Sequence, residues 1–399
     1  MSEKKIVLAY SGGLDTSIAI PWLQEKYGAQ IIAYTTDLGM VDLEKARQRA
    51  LKAGAIDAVI EDARDTFVKE FIWPGLKADA VYEEQYPLAT AFGRPLIARA
   101  MVEVARREGA FAIAHGCTGK GNDQVRFDVT AAALAPDLKV IAPAREWGMT
   151  REQEMEYARQ HGIAISARKS RFSIDENLWG RSVEAAELED PWAEPPEDAF
   201  LWTRPIADTP DKPLYLEIGF EQGIPTSIDG EEMDGVALIN HLHGLAGEHG
   251  VGRIDHVENR LVGIKSREIY EAPAAAVLLA AHKALEAMTL AKDQLRMKAR
   301  VAQDYADLVY NGLWFTRHRE DLDAYVESTQ RYVTGTVRVR LHKGTLAVVG
   351  RESPYSLYEH GLATYGEGDV FDQRASEGFI RIFGLPVRVQ GRMGKKEEG

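Results

Sequence analysis

Two short stretches concentrate the residues able to do chemistry. The first, Ser11-Gly12-Gly13-Leu14-Asp15-Thr16-Ser17, mixes two glycines with hydroxyls and a carboxylate. Small residues let backbone N–H groups close around an oxyanion, and a helix starting behind them adds its partial positive charge. The second, His115-Gly116-Cys117-Thr118-Gly119-Lys120-Gly121-Asn122-Asp123-Gln124-Val125-Arg126-Phe127, sets three glycines among Lys, Asp, Arg and two carboxamides. That mixture suits a zwitterion and a polyphosphate. The first stretch is not a Walker A loop, because no Gly-Lys-Ser/Thr closes it, and it lacks the G-x-G-x-x-G spacing of a dinucleotide fingerprint. Two glycines alone would favour a plain tight turn.

Position separates a site from a turn. The apolar run Lys5–Tyr10 reads as a fully buried strand leading into the first stretch, and Ile18–Tyr27 as a helix leaving it, stopped by Gly28. Further strands are expected at Gln30–Thr35, Ala58–Glu61, Phe111–His115 and Lys139–Ala142. Helices are expected at Leu43–Ala53, Thr66–Lys77, Arg94–Glu108 and Arg151–Gly162. This alternation implies a doubly wound parallel sheet, which binds ligands beyond the carboxyl ends of its strands. Both glycine stretches follow expected strands.

Beyond residue 165 the period changes. Six prolines between Pro191 and Pro213 suggest a long surface loop. Tyr215–Phe220 reads as a strand and Gly235–Leu242 as a helix. Ala272–Arg300 reads as one long alanine-rich helix, a candidate for the core or a subunit contact. Strands are expected at Gly335–His342, Thr345–Gly350 and Phe379–Phe383, and the charged tail Arg392–Gly399 is expected to be disordered or ordered only against a partner. The fold class is therefore α/β: residues 1–165 form a doubly wound nucleotide-binding domain, and 166–399 an α+β domain with a C-terminal oligomerisation segment.

The bulk composition is that of a globular chain: 399 residues, 45% hydrophobic, 27% charged. A net charge of −13 argues against nonspecific nucleic-acid binding, so anionic ligands must be drawn in by local sites. One cysteine, Cys117, excludes an internal disulfide and fits a reducing cytoplasm. Ser2-Glu3-Lys4-Lys5 runs straight into the first strand, so no leader is expected. The apolar run Ala272–Ala281 is half a membrane span, so no membrane segment is expected either.

The pattern S-G-G-x-D-T-S resembles the pyrophosphate loop of the N-type ATP pyrophosphatases, which cleave ATP between the α and β phosphates. H-G-x-T-G-K-G-N-D-Q-V-R-F resembles the signature loop of the argininosuccinate synthase family. Four further segments are similar to that family in the same order: Ser173-Ile174-Asp175-Glu176-Asn177-Leu178, Gly250 to Arg260, Gly263 to Pro273 and Gly350 to Tyr358. The likeness runs from residue 5 to about residue 385.

This resemblance implies ATP-dependent ligation of citrulline and aspartate to argininosuccinate, with AMP and pyrophosphate released through citrullyl-AMP. It implies Mg2+ arriving with ATP, a homotetramer, and no nucleic-acid or membrane partner. ATP would border Ala9, Tyr10, Ser11, Gly12, Gly13, Leu14, Asp15, Thr16, Ser17, Thr36 and Gly116. Aspartate would meet Thr118, Asn122 and Asp123. Citrulline would meet Tyr86, Thr90, Asn122, Arg126, Ser173, Ser182, Glu258 and Tyr270. Ser11, Asp15, Asp123 and Arg126 would act in catalysis: the first two on the departing pyrophosphate, Asp123 on the substrate ammonium, and Arg126 as a bidentate carboxylate clamp.

Read singly, several of these residues have plainer roles. Tyr86 and Tyr270 could be core tyrosines, Glu258 could pair with Arg260 or Arg253, and Lys120 could be a surface lysine rather than a phosphate partner. Cys117 reads as a packing residue, and His241, His243, His249 and His256 lack metal-ligand spacing, so no metal site is expected among them. The chain departs from the family where Ala91 replaces a serine, leaving Thr90 to supply the hydroxyl. It also departs at Met40, where glutamine is usual, and in the basic run Ala167–Phe172. Two other classes would share the first loop: another ATP pyrophosphatase adenylating a different substrate, and a nucleotide-binding stress sensor, which would leave residues 170–390 without a purpose.

Overall fold

The computed structural model describes residues 4–39, 42–163 and 171–397. Met40, residues 167–170 of the basic run and the expected domain boundary at 165/166 lie outside the described residues. The chain divides into two compact units, one ending at Tyr355 and one from Ser356 onward.

The first unit opens with β1 (Lys5–Ala9), β2 (Gln30–Asp37), β3 (Asp57–Asp62), β4 (Ala112–Ala114) and β5 (Lys139–Ile141). They form a parallel sheet in the order β3-β2-β1-β4-β5. Ile6, Val7 and Leu8 are fully buried, as a strand covered by helices on both faces must be. The strand order reverses between β1 and β4, and the two glycine stretches leave their carboxyl ends there. The helix after β1 begins at Leu14, earlier than expected, and ends on left-handed Gly28. The helix expected at Arg94 begins at Ala89, and the one expected at Thr66 begins at Arg64 and runs through a π turn at Val68–Ile72.

The remainder of this unit is built on antiparallel pairs: β6 (Ser173–Asn177) with β7 (Gly180–Glu184), β8 (Leu214–Glu221) with β9 (Ile224–Ile228) and the short β10 (Glu231–Glu232), β11 (Arg253–Asn259) with β12 (Lys265–Glu271), and β13 (Gly335–His342) with β14 (Thr345–Glu352). They assemble into one sheet ordered β11-β12-β7-β6 and another ordered β10-β9-β8-β13-β14. The expected single helix over Ala272–Arg300 is in fact two, Pro273–Thr289 and Lys292–Tyr310, broken at Leu290 and Ala291, whose backbones are extended. Ala274, Ala275, Val277, Leu278 and Ala281 of the first are fully buried, so its small residues serve the core.

In the second unit, Phe379–Phe383 is not a strand. It ends the helix Ala375–Phe383, and the next helix, Leu385–Glu397, carries the tail on as helix as far as Glu397, beyond which the last two residues lie outside the described ones. The alternation of residues 379–383 is too short to separate the two periods. No helix among the described residues is long and apolar enough to cross a membrane.

Candidate active site

The first stretch folds around its own hydroxyls. The Ser17 hydroxyl donates to the Gly13 carbonyl at 2.7 Å and lies 2.8 Å from the Tyr10 hydroxyl, while Ser11 and Thr16 hydroxyls meet at 3.2 Å. Gly13 caps the helix Leu14–Tyr27 without a side-chain bond, leaving the helix N-terminus open to a ligand. Arg49 donates to the Gly12 carbonyl at 3.0 Å, and Arg151 donates to the Asp15 carboxylate at 2.5 Å.

A cavity of about 390 Å³ opens over this loop. Of the residues expected around ATP, Ala9, Tyr10, Ser11, Gly13, Leu14, Asp15, Thr16, Thr36 and Gly116 line it. Gly12 and Ser17 do not: Gly12 packs against Ala46, and Ser17 is buried beneath the loop, where it ties the turn together. Gly116 is required by closeness, since a Cβ there would sit 2.9 Å from the Thr16 side chain. The two loops therefore touch.

A second cavity, of about 400 Å³, shares Ser11, Arg94, Cys117 and Asp175 with the first. It brings together every residue expected for the amino acids: Thr118, Asn122 and Asp123, with Tyr86, Thr90, Arg126, Ser173, Ser182, Glu258 and Tyr270. Asp123 and Arg126 stand on a helix, Asp123–Leu134, that begins inside the second glycine stretch. Arg94 donates to Asp123 at 2.9 Å and also binds Asp175, and Arg126 donates to Asp123 at 2.8 Å. Burial opposes the charge on Asp123, but the guanidiniums of Arg94 and Arg126 outweigh it and hold the carboxyl below the usual carboxylate range. Arg126 is 3% exposed, and its Nη2 finds no hydrogen-bond partner among the described residues. A buried cationic donor without a partner beside a cavity is a place for an anion.

The far wall is one face of the sheet β11-β12-β7-β6. Directly paired residues share a face, and Asp175 pairs with Ser182, Ser182 with Tyr270, and Ser173 with Glu184. Glu258 is not paired with Arg260 or Arg253. Tyr270 donates to it at 2.6 Å and Tyr310 at 2.7 Å, while Arg260 goes to Glu184 and Glu268. Tyr86 stacks on Tyr270 with centroids 4.3 Å apart, so both tyrosines are buried and still form cavity wall. Glu268, also lining the cavity, is pushed up to about 9 by burial, with the Glu184 and Glu258 carboxylates adding to the effect.

Sequence reasoning missed Arg94, Asp175, Glu184, Arg260 and Glu268 as lining residues, and Arg151 beside the loop. Glu268 was the most accessible of these, standing two residues before Tyr270 on the same strand face. Lys120 is exposed and lines neither cavity. Cys117 lines both, but burial and then the Asp123 charge push its thiol up, so it is not a poised nucleophile. His115 Nε2 meets Asp128 at 2.9 Å and its Nδ1 accepts from the Cys117 backbone, which anchors the second loop.

Comparison with known proteins places the whole chain. Residues 5–164 match the family model of the argininosuccinate synthase N-terminal HUP domain, and residues 172–390 that of the argininosuccinate synthase C-terminal domain. The chain is 61% identical over 395 residues to the argininosuccinate synthase of Dehalococcoides mccartyi strain 195, covering 98% of this chain and 97% of that protein. It is 58% identical to that of Symbiobacterium thermophilum over the full length of both, and 57% identical to that of Gloeobacter violaceus over 99% of this chain and all of that protein.

Proposed function

The chain belongs to the argininosuccinate synthase family, and from that premise we infer how its residues carry out ATP-dependent ligation of citrulline and aspartate, with AMP and pyrophosphate released through citrullyl-AMP. The observation that carries the assignment of residues is the junction of the two cavities at Ser11, Arg94, Cys117 and Asp175. Nucleotide over the parallel sheet and amino acids under the antiparallel sheet meet there. Because the family match covers both halves of the chain, adenylation of another substrate and a bare nucleotide sensor are not favoured.

In the first step the citrulline ureido oxygen bonds to the α-phosphorus of ATP, and the bond to the bridging oxygen breaks, releasing pyrophosphate. The ureido oxygen is a weak nucleophile, so positioning and charge stabilisation do most of the catalysis. Ser11, Asp15 and Thr16, with the backbone of Gly13 and the open helix N-terminus, hold the leaving group, and Gly12 shapes the turn against Ala46. Ala9, Tyr10, Leu14, Thr36 and Gly116 wall the nucleotide, and Ser17 shapes the loop from below. Arg94, on the shared wall, faces the charge that develops between the cavities. In the second step the aspartate amine attacks the ureido carbon and AMP leaves.

Citrulline is assigned to Tyr86, Thr90, Asn122, Arg126, Ser173, Ser182, Glu258 and Tyr270. The unpartnered Nη2 of Arg126 receives its carboxylate, and the Glu258 side supplies the negative charge for its ammonium. Aspartate is assigned to Thr118, Asn122 and Asp123. For Mg2+ the fit is that of a cation carried mainly by phosphate and water: one carboxylate, Asp15, and the Ser11 and Thr16 hydroxyls are hard oxygen donors at the phosphate loop. Bound there, the ion would neutralise pyrophosphate charge.

The reading includes division of the chain at 165/166 into nucleotide-binding and synthetase domains, a cytoplasmic setting and a homotetramer. Association of some kind is supported by the second unit, where Phe379, Ile380, Ile382, Phe383 and Leu385 expose apolar side chains.

Product analysis tests the reading. With MgATP, citrulline and aspartate, AMP and pyrophosphate should form in step with argininosuccinate, and product should vanish when either amino acid is omitted. Asp123→Ala should still release pyrophosphate with citrulline yet make no argininosuccinate. Normal product from that variant would remove Asp123 from the aspartate site.

A further inference from the structure

Three side chains of the second cavity, Asn122, Arg126 and Glu258, come from a loop, a helix and β11, and one residue outside the cavity joins them. Tyr310, the last residue of the helix Lys292–Tyr310, is 1% exposed. Its hydroxyl donates to Glu258 Oε1 at 2.7 Å and accepts from Asn122 Nδ2 at 2.8 Å. Its backbone carbonyl accepts from Arg126 Nε at 2.9 Å, and its ring lies 5.0 Å from the Arg126 guanidinium. The hydroxyl has one proton, given to Glu258, so the Asn122 amide must turn its NH2 inward and its oxygen toward the Leu261 backbone N–H, 2.9 Å away.

The surroundings hold the tyrosine rigidly. Its ring stacks on Tyr82 with centroids 3.6 Å apart and planes 8° from parallel, and Tyr86 meets it edge-on. Two residues later, Gly312 has φ +75°, and a Cβ there would come within 2.8 Å of the Arg126 Cα. The chain leaving the helix is thus pressed directly onto Arg126.

We propose that Tyr310 is a positioning residue for the amino-acid cavity, setting Glu258, Asn122 and Arg126 as one unit so that they receive the carboxylate and the ammonium of citrulline at once. The proposal rests on the functional reading above. Tyr310 does not line the cavity, so it acts through its three neighbours.

Tyr310→Phe removes the hydroxyl while keeping the ring on Tyr82 and under Arg126. Pyrophosphate release is measured with citrulline, then ATP, then aspartate varied, the others saturating, alongside thermal unfolding. In Tyr310→Phe the citrulline KM should rise about tenfold with the ATP KM within about twofold of wild type, since bonds to charged groups are the costly ones to lose. Tyr310→Leu should raise the citrulline KM further and also lower the unfolding midpoint, because it removes the ring contacts. An unchanged citrulline KM in folded Tyr310→Phe, or equal rises for all three substrates, would overturn the positioning role alone. Wild-type pyrophosphate release indifferent to citrulline would sink the functional reading and this inference with it.

Discussion

The second cavity and the cluster around Lys298 are built from the same materials, buried side chains of opposite charge, and they are finished differently. In the cluster, Lys298 reaches Asp79 at 2.6 Å and Glu286 at 2.8 Å. His282 contacts Asp79 through one ring nitrogen and Gln330 through the other, and Gln330 donates back to Glu286. Asp79, His282 and Glu286 stand close enough to hold a metal ion, but the Lys298 ammonium already supplies the cation between the two carboxylates. Burial opposes the charge on His282, while Glu286 and Asp79 outweigh it and raise the imidazole pKa. In the cavity, by contrast, Arg126 keeps a free N–H among the described residues, and Arg260 is shared by two carboxylates. A closed network holds a fold together; an open one waits for a ligand to complete it.

The largest effect should come from opening the closed network. Lys298→Met leaves Asp79 and Glu286 facing each other without their ammonium, a loss of about 3–5 kcal/mol for a buried pair stripped of one partner. Denaturant unfolding measures it, and the citrulline KM of whatever folds should stay near wild type. A stability loss under about 1 kcal/mol would mean that His282 alone neutralises the cluster, and that it is less closed than it looks.

Next comes the open network. Arg126→Ala should raise the citrulline requirement by about 2–3 kcal/mol, or roughly 30- to 150-fold, because the carboxylate loses a charged donor in a buried site; that donor is Nη2 alone, not the bidentate fork expected from sequence, since Nε and Nη1 are held by Tyr310 and Asp123. An unchanged requirement would refute the clamp and leave Arg126 as scaffolding for Asp123 and Tyr310.

Glu268 tests the open network by pH. Its carboxyl is raised to about 9, against an ordinary glutamate near 4.5. Between those values the native state keeps a proton that the unfolded chain has released, so stability falls as pH rises through the window and levels off above 9. One proton limits the slope to about 1.4 kcal/mol per pH unit. Glu268→Gln should flatten the decline measured by denaturant midpoints from pH 6 to 9. Parallel curves would mean that Arg260 serves Glu268 and Glu184 equally well.

These contrasts also show what a sequence can disclose. The parallel sheet and both glycine loops were legible because buried strands, turn glycines and loop hydroxyls are local signals. The family resemblance groups Arg126, Glu258 and Tyr270 around one amino acid, and all three line one cavity. What stayed hidden was pairing across distance. Nothing near Glu258 says that its partners are Tyr270 and Tyr310 rather than Arg260. Arg94 looks like an ordinary helix arginine until Asp123 and Asp175 close on it. The break at Leu290–Ala291 was invisible for the opposite reason: neither residue opposes a helix, and tertiary packing overrode propensity.

The smallest expected effect locates the edge of the open network. Thr90 and Ala91 are neighbours on one helix, yet Thr90 lines the cavity and Ala91 is fully buried in the core. Successive helix residues point about 100° apart, so a hydroxyl moved by one position turns from ligand to packing. Restoring the family's serine by Ala91→Ser should therefore leave the citrulline KM within about twofold, at a stability cost of at most about 1 kcal/mol for a buried hydroxyl that finds a helix carbonyl. Thr90→Ala, by contrast, should raise the citrulline KM several-fold, since it removes a hydroxyl from the wall. The pair is measured as one experiment. If Ala91→Ser tightens citrulline and Thr90→Ala does nothing, the cavity wall in solution lies one residue further along the helix, and the hydroxyl contact belongs to position 91.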